Sequence, residues 1–181
     1  LSPFQTYAFS GTVLDSLTGQ VVPNATVIIS SSLGLSYKST ADVSGAFTFS
    51  SVVPDDYTIY AGKWGYRTSC VMQTLIPGTP IVATIAPGYY DDFTFDYGWA
   101  ISGTSGNSWE RGEPVGTYYG SSSESNPEFD VTTDCSDSCF VTDNGGAPYN
   151  ATDVDNGNTI LTSPVFDGTI YLNPTLSYYR R

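Results

Sequence analysis

The 181-residue chain carries 6 Lys and Arg against 18 Asp and Glu, which gives a net charge of −12, and it contains no His. Nucleic-acid binding needs a basic surface, so this composition excludes that class of partner. Without His there is no Ser-His-Asp triad, no Cys-His pair and no HExxH zinc site. Charged residues make up only 13% of the chain. Its polarity comes from Ser, Thr, Asn, Gly and Tyr, which suit short strands and turns rather than helices.

The sequence also indicates an extracellular location. No run of 18 apolar residues is present, so we expect no membrane-spanning segment. The chain begins at Leu1 without Met, which we interpret as a mature product after removal of a signal sequence. Three Cys, 14 Tyr and few Lys fit an extracellular protein better than a cytosolic one.

Period-two alternation dominates the first half of the chain. Ala25, Val27 and Ile29 are expected to point one way, with Thr26 and Ile28 pointing the other. Turn signals separate the runs at a spacing typical of an antiparallel sandwich. The predicted strands are 5–14, 25–31, 35–40, 45–51, 56–62, 65–74 and 80–86. Pro87-Gly88 ends the pattern, so we predict two domains, 1–87 and 88–181.

The order of short motifs in this half is specific. They are GTVLD (11–15), TG (18–19), VPNATV (22–27), TADVSGAF (40–47), YTI (57–59) and GY (65–66). The order resembles the carboxypeptidase regulatory-like domain, a seven-stranded, transthyretin-like sandwich. The resemblance implies a non-catalytic domain of the kind found beside secreted peptidases, in adhesins and in outer-membrane receptors.

The second half is richer in Gly, Ser and Asp. Its predicted strands are 91–103, 108–112, 138–143, 158–165 and 174–180. The strings YDDFTFDYGW (90–99), SWERGEP (108–114), CFVTDN (139–144), DVDNGNT (153–159), LTSPVFD (161–167) and PTLSYY (174–179) resemble a MAM-like jelly-roll module of secreted surface proteins of Bacteroidetes. The overall prediction is therefore an all-β protein, with an immunoglobulin- or transthyretin-like sandwich followed by a jelly roll.

Such jelly rolls usually carry about eight strands, and the second half offers five or six. We therefore predict an incomplete sandwich whose last strand, 174–180, already has Leu176 and Tyr178 in a sheet. An open edge favours self-association by β-strand addition. The alternative is that later strands of the same chain close the fold.

Three cysteines are present. Cys135 and Cys139 are close enough in sequence for a local disulfide loop, which we favour over two free thiols or a metal site. For Cys70 two interpretations stay open, a buried free thiol and a covalent link to another chain.

Acidic residues suggest a cation rather than catalysis. Adjacent carboxylates such as Glu110 and Glu113 seldom span a glycosidase cleft, and no nucleophile–base pair is evident. The alternating oxygens around Asp153 and Asp155 resemble the start of a calcium loop, completed by Asp91 or Asp92. The alternative is a simple Asx-rich turn.

Aromatic and modifiable residues give further candidates. A glycan platform would use Trp109, Tyr118 and Tyr119, although aromatic side chains more commonly form the core.

Three sites match modification signals. Asn24 and Asn150 fit the N-glycosylation rule, and Asp15-Ser16-Leu17 is similar to an O-glycosylation signal of Bacteroidetes, with Ser16 as the acceptor.

The sequence thus predicts a secreted, non-enzymatic structural or adhesive module of a cell surface that can assemble into a fibre. We expect it to require no cofactor, with structural calcium as the one candidate. The alternatives are an accessory segment of a larger secreted metallopeptidase and a carbohydrate-binding module.

Overall fold

A computed structural model describes residues 5–105, 108–119, 123–131, 134–142, 144–145, 154 and 156–180. The elements in these ranges are all β-strands, which confirms the predicted all-β class. Among the same residues there is no helix long and apolar enough to cross a membrane. The chain divides into two compact units, Leu1–Asp91 and Asp92–Arg181, called the first and second unit below.

The first unit is a sandwich of two four-stranded sheets. Its strands are β1 (Tyr7–Asp15), β2 (Thr26–Ser31), β3 (Ser36–Thr40), β4 (Ala46–Val52), β5 (Asp56–Gly62), β6 (Tyr66–Arg67), β7 (Ser69–Thr74) and β8 (Ile81–Pro87). One sheet has the order β4-β1-β8-β6 and the other β3-β2-β5-β7. β1 and β8 run parallel, whereas the other pairs are antiparallel.

The core lies between these sheets and follows the alternation of the sequence. Ala25, Val27 and Ile29 are fully buried, and the intervening Thr26 and Ile28 are only partly buried. The same alternation buries one face of β1, β4, β5 and β8. The predicted orientation of these side chains is therefore confirmed.

The predicted strand 65–74 is two strands. Tyr66–Arg67 pairs with β8 in one sheet, and Ser69–Thr74 pairs with β5 in the other. Thr68 lies between them. The chain changes sheets at this residue, so the sandwich has eight strands rather than the seven expected.

Gly11 is required where β1 passes between its two neighbours. A Cβ at this position would overlap the carbonyl oxygen of Ile81 and the ring of Phe47. The absence of a side chain therefore lets the parallel β1–β8 pair form beneath the Phe47 ring.

The described part of the second unit contains three two-stranded antiparallel sheets. Its strands are β9 (Ala100–Gly103), β10 (Trp109–Gly112), β11 (Thr117–Tyr119), β12 (Ser123–Asn126), β13 (Cys139–Thr142) and β14 (Thr159–Thr162). The pairs are β10–β13, β11–β12 and β9–β14. Phe93, Trp99 and Phe140 pack together with ring centroids 5.2–5.7 Å apart. The MAM-like jelly roll stays a prediction.

Two strand predictions in this unit need correction. Of 91–103, only Ala100–Gly103 is a strand. Before it, the carboxylates of Asp92 and Asp96 accept the N–H groups of residues two positions later, and Phe93 and Gly98 have φ of 59° and 86°. Such Asx turns offer the backbone an alternative to strand pairing.

Residues 174–180 form no strand, so Leu176 and Tyr178 are not in a sheet. Both side chains are instead more than two-thirds exposed, at 72% and 73%. Alternation is a property of the segment itself, whereas a strand also needs a neighbouring edge. None of the described strands pairs with this segment.

Candidate functional site

An acidic cavity is the most distinctive feature of the second unit. It has a volume of about 80 Å³ and is lined by Glu113, Pro114, Glu128, Phe129, Asp130, Val131 and Asp137. These residues come from the loop after β10, the segment after β12 and the loop before β13. Four of the seven carry carboxylates. Thirteen of the 18 acidic residues of the chain, but only three of its six cations, fall within 92–181.

Asp92 is buried in the same unit, with 2% of its surface exposed. Its Oδ1 accepts the N–H of Thr94 at 3.1 Å. Its Oδ2 is buried and has no hydrogen-bond partner among the described residues, and the same is true of the Thr94 hydroxyl. Buried polar atoms are normally paired, and an unpaired buried charge is costly. The turn at Asp92 therefore holds two oxygens that lack a partner.

Asp130 links this turn to the cavity electrostatically. Its pKa is raised, first by burial and then by the negative charges of Asp137 and Asp92, although the N–H of Val131 opposes the shift. The charges of Asp92 and Asp137 therefore each disfavour the ionised form of Asp130. Burial, with a contribution from Asp130, also raises the pKa of the Cys139 thiol to about 11. This thiol is protonated at neutral pH and is a poor nucleophile.

Polar contacts fix the rim of the cavity. The Asn144 amide accepts the N–H of Val115 at 2.8 Å and donates to the carbonyl oxygen of Glu113 at 2.7 Å. The Tyr118 hydroxyl donates to Glu128 Oε2 at 2.7 Å. The backbone entering β11 and one wall of the cavity are thereby held in place.

Only two of the four predicted calcium ligands, Asp91 and Asp92, lie within the described residues. Asp153 and Asp155 lie outside the described residues, and Asp91 belongs to the first unit. Within the described part of the chain, no three Asp, Glu, Cys or His side chains are arranged to hold a metal ion. Calcium stays a prediction, and any site at Asp92 needs neutral oxygens in addition to carboxylates. Asp130 was missed because nothing in the sequence relates it to Asp92.

The predicted Cys135–Cys139 disulfide is wrong. Cys139 is a free thiol, whereas Cys70 and Cys135 are each disulfide-bonded. A disulfide needs Cβ atoms that face each other, and a short spacing does not ensure this. Cys135 lies in a loop in which the Asp134 carboxylate accepts the N–H of Ser136 and the Ser136 hydroxyl accepts the N–H of Ser138. Cys139 instead lies opposite Gly112 in β13. For Cys70 the free-thiol interpretation is also wrong.

The structure describes the side chains of two of the three aromatic candidates, Trp109 and Tyr118. Trp109 lies in β10, half-buried, and its indole N–H is buried. Tyr118 is 45% exposed, but its hydroxyl is engaged by Glu128. The Tyr119 side chain lies outside what the structure describes. Glycan binding by these residues stays a prediction.

The modification candidates of the first unit lie in exposed turns. Ser16 follows β1, and the neighbouring Asp15 carboxylate accepts the N–H groups of Leu17 and Thr18. These hydrogen bonds lower the pKa of Asp15, and the bond from Thr18 has the largest effect; burial acts in the opposite direction. Asn24 is exposed and has a φ of 60°. Asn150 lies outside the described residues.

Comparison with solved structures gives distant similarities. A streptococcal ancillary pilin is 15% identical with a TM-score of 0.38, and the major pilin subunit BcpA of Bacillus cereus is 14% identical with a TM-score of 0.37. Each match covers 47% of this chain, and the chain spans only 30% of each pilin. A DUF3823 family protein from Bacteroides ovatus is 12% identical with a TM-score of 0.38, covering 88% of this chain and 82% of that one. Scores this low do not establish a shared fold.

No curated protein matches the chain. A family model does match: residues 8–87 fit the carboxypeptidase regulatory-like domain. The matched residues coincide with the eight-stranded sandwich and with the motifs that carry the resemblance. The first unit is therefore similar to the carboxypeptidase regulatory-like domain over residues 8–87.

Proposed function

We propose that the chain is a secreted, non-catalytic structural or adhesive module of a cell surface, whose copies assemble through β contacts. The absence of His from the sequence and the protonated state of Cys139 support the non-catalytic part. The first unit supplies a rigid spacer, since its sandwich has a continuous buried core.

The observation that carries the proposal is an exposed apolar segment at 163–180, called the C-terminal segment. Its most exposed apolar side chains are Val165 (86%), Ile170 (74%), Leu172 (93%), Leu176 (72%), Tyr178 (73%) and Tyr179 (80%). Monomeric soluble proteins rarely expose apolar surface of this kind without a partner. An extended segment of this composition is suited to adding as a strand to an open sheet edge.

Suitable edges exist in the same chain. Each sheet in the described part of the second unit has only two strands, so each offers backbone N–H and C=O groups for a further strand. A segment donated by one copy to an edge of the next copy repeats head to tail, which yields a filament rather than a closed dimer.

Light scattering coupled to gel filtration, followed by electron microscopy, tests this proposal. We expect the wild-type chain to form concentration-dependent oligomers or filaments. The double variant Leu176→Asp/Tyr178→Asp should remain monomeric, because it places two charges on the segment. Leu33→Asp is a matched control, since Leu33 is 77% exposed in a hairpin of the first unit and should leave assembly unchanged. A wild-type chain that stays monomeric at its highest soluble concentration would contradict the proposal.

The non-catalytic part is tested separately. The purified chain should hydrolyse neither peptide nor glycoside substrates. Activity that disappears in Glu110→Gln or Glu113→Gln would show that the chain is an enzyme.

The family match favours one alternative, an accessory segment of a larger secreted peptidase. The intact mass of the protein from its natural source distinguishes the two. A product several times larger that contains a His-bearing catalytic domain would favour the accessory role.

A further inference from the structure

We propose that the open edge of β7 receives the C-terminal segment of a second copy of the chain, with residues 174–179 running parallel to Ser69–Thr74. This inference rests on the assembly proposed above. It names the edge that accepts the segment and the direction in which the segment runs.

β7 has backbone groups available for a further strand. It is the outer strand of the sheet β3-β2-β5-β7. The N–H of Leu75 donates to the carbonyl oxygen of Asp55 at 2.9 Å, and Thr74 lies opposite Asp56 in the antiparallel register. Because hydrogen-bonded and non-hydrogen-bonded pairs alternate along such a ladder, the N–H and C=O groups of Met72 and Thr74 point away from β5. No backbone hydrogen bond among the described residues engages them.

The β7 edge is also apolar and long. Val71 lies opposite the buried Ile59 on the core side of the sheet, yet it is 62% exposed. Met72, on the other side, is 76% exposed. β7 has six residues and no charged side chain, whereas the described strands of the second unit have three or four residues. A long, uncharged apolar edge is the kind that pairs with another chain.

The other outer strands of the first unit are less suitable. β3 carries Lys38, and a lysine on an edge strand discourages pairing. In β4, the carbonyl oxygen of Thr48 already accepts the hydroxyl of Ser39 at 3.0 Å. β6 has only two residues. β7 is therefore the edge of this unit that is best suited to accept a strand.

The pattern of the segment sets its register against β7. Pro174, Leu176 and Tyr178 alternate with Thr, Ser and Tyr. Pairing Leu176 with Val71 puts these three side chains on the core side of the sheet, where they cover Val71. A shift by one residue would move them to the other side. Pro174 is then the first residue of the added strand, a position where its missing N–H is tolerated.

Charge sets the direction of the added strand. In this register a parallel strand puts Arg180 level with Leu75, whose N–H is bonded to Asp55 at the start of β5, next to Asp56. An antiparallel strand in the same register would put Arg180 opposite Arg67. Opposite charges stabilise a strand pair and like charges directly opposite each other destabilise it. The parallel direction is therefore favoured.

Light scattering coupled to gel filtration tests the edge in the full 181-residue chain. Val71→Asp puts a charge on the open edge, so it should raise the concentration needed for assembly about tenfold or more. Val82→Asp is the matched control and should assemble like the wild type, because Val82 is 59% exposed but lies in β8, between β1 and β6. A folded Val71→Asp chain that assembles at the wild-type concentration would overturn the proposal.

Hydrogen exchange of the wild type tests the same edge without a variant. The N–H groups of Met72 and Thr74 should exchange more slowly in the assembled chain than in the monomer, and that of Leu33, in a hairpin, should be unchanged. Assembly without this protection would overturn the inference and leave the proposed assembly standing. Protection that is already complete in the monomer would overturn it as well, because the segment of the same copy would then cover the edge. A wild-type chain that does not assemble would overturn both proposals.

Arg180→Glu tests the direction of the strand. In the parallel arrangement it brings a negative charge towards Asp55 and Asp56, so assembly should require a higher concentration than in the wild type. Lys38→Glu is the control, because it makes the same change of charge on β3, at the opposite edge of the sheet, and should have little effect. Assembly of Arg180→Glu at a lower concentration than the wild type would indicate a strand that runs towards Arg67 and would overturn the parallel arrangement.

Discussion

Tyr57 is the largest fully buried side chain of the first unit, and it offers a sharp test of the core. Its ring meets that of Tyr37 edge to face, with centroids 6.2 Å apart. Its hydroxyl donates to the carbonyl oxygen of Val53 at 2.9 Å. Tyr57→Phe removes the hydroxyl and keeps the ring, so it measures this one hydrogen bond.

The expected loss is about 1–2 kcal/mol of unfolding free energy, because the Val53 carbonyl loses its partner in a partly buried place. For a unit of this size the Tm should fall by about 5–10 °C. Urea unfolding at neutral pH provides the measurement. Tyr60→Phe is the control, since Tyr60 lies on the other face of β5 and is only partly buried. It should change the free energy by about 0.5 kcal/mol or less. Equal stabilities for Tyr57→Phe and the wild type would refute this account of the core.

The pKa of Tyr57 predicts that the stability of the first unit depends on pH. Burial, followed by the charges and contacts of Tyr37 and Asp55, raises the pKa of Tyr57 to about 12 from its ordinary value of 10.0. The folded state therefore favours the neutral phenol. The stabilisation that results is fully present below pH 10 and is lost as the pH rises through 12. Wild type should lose more stability over that interval than Tyr57→Phe. Equal losses would mean that Tyr57 titrates normally.

Three further outcomes are expected. Gly11→Ala should destabilise the first unit by about 1–3 kcal/mol in urea unfolding, because the added methyl group would overlap the carbonyl of Ile81. Ser10→Ala is the control and should leave the stability nearly unchanged, since Ser10 is exposed in the same strand. Hydrogen bonds from the Ser44 hydroxyl, and then from the N–H groups of Ala46 and Ser44, lower the pKa of Asp42. The Asp42 carboxylate therefore stabilises the fold above its ordinary pKa, and this stabilisation is lost as the pH falls through the lowered pKa. Asp42→Asn should therefore show a shallower loss of stability on acidification, and an unchanged pH profile would count against that turn. Alkylation and mass spectrometry of the unreduced, denatured chain should find one free thiol, at Cys139. In the native chain this thiol should react slowly below about pH 11; labelling at either of the other cysteines would contradict the assignment.

Local sequence patterns predict much of the structure of the first unit. Alternation identified the buried face of β2 because the side chains of a strand alternate between its two sides, and one side of each sheet faces the core. Turn residues gave strand limits close to those of the structure, since Gly45, for example, has a φ of 76° that residues with a Cβ resist. The family resemblance depends on the same local signals, which is why it could be recognised from the motifs and is matched over 8–87.

Features that join distant parts of the chain were decided by the tertiary structure. The change of sheet at Thr68 depends on which strands lie beside Tyr66 and Ser69, and the motif around them is the same in either arrangement. The cysteine assignment depends on where Cβ atoms face, which spacing does not determine. The electrostatic effect of Asp92 on Asp130 arises between loops that are separated by several strands in the sequence. Local sequence determines the conformation and faces of each strand, because these follow from neighbouring residues; pairing and charge proximity follow only from packing in three dimensions.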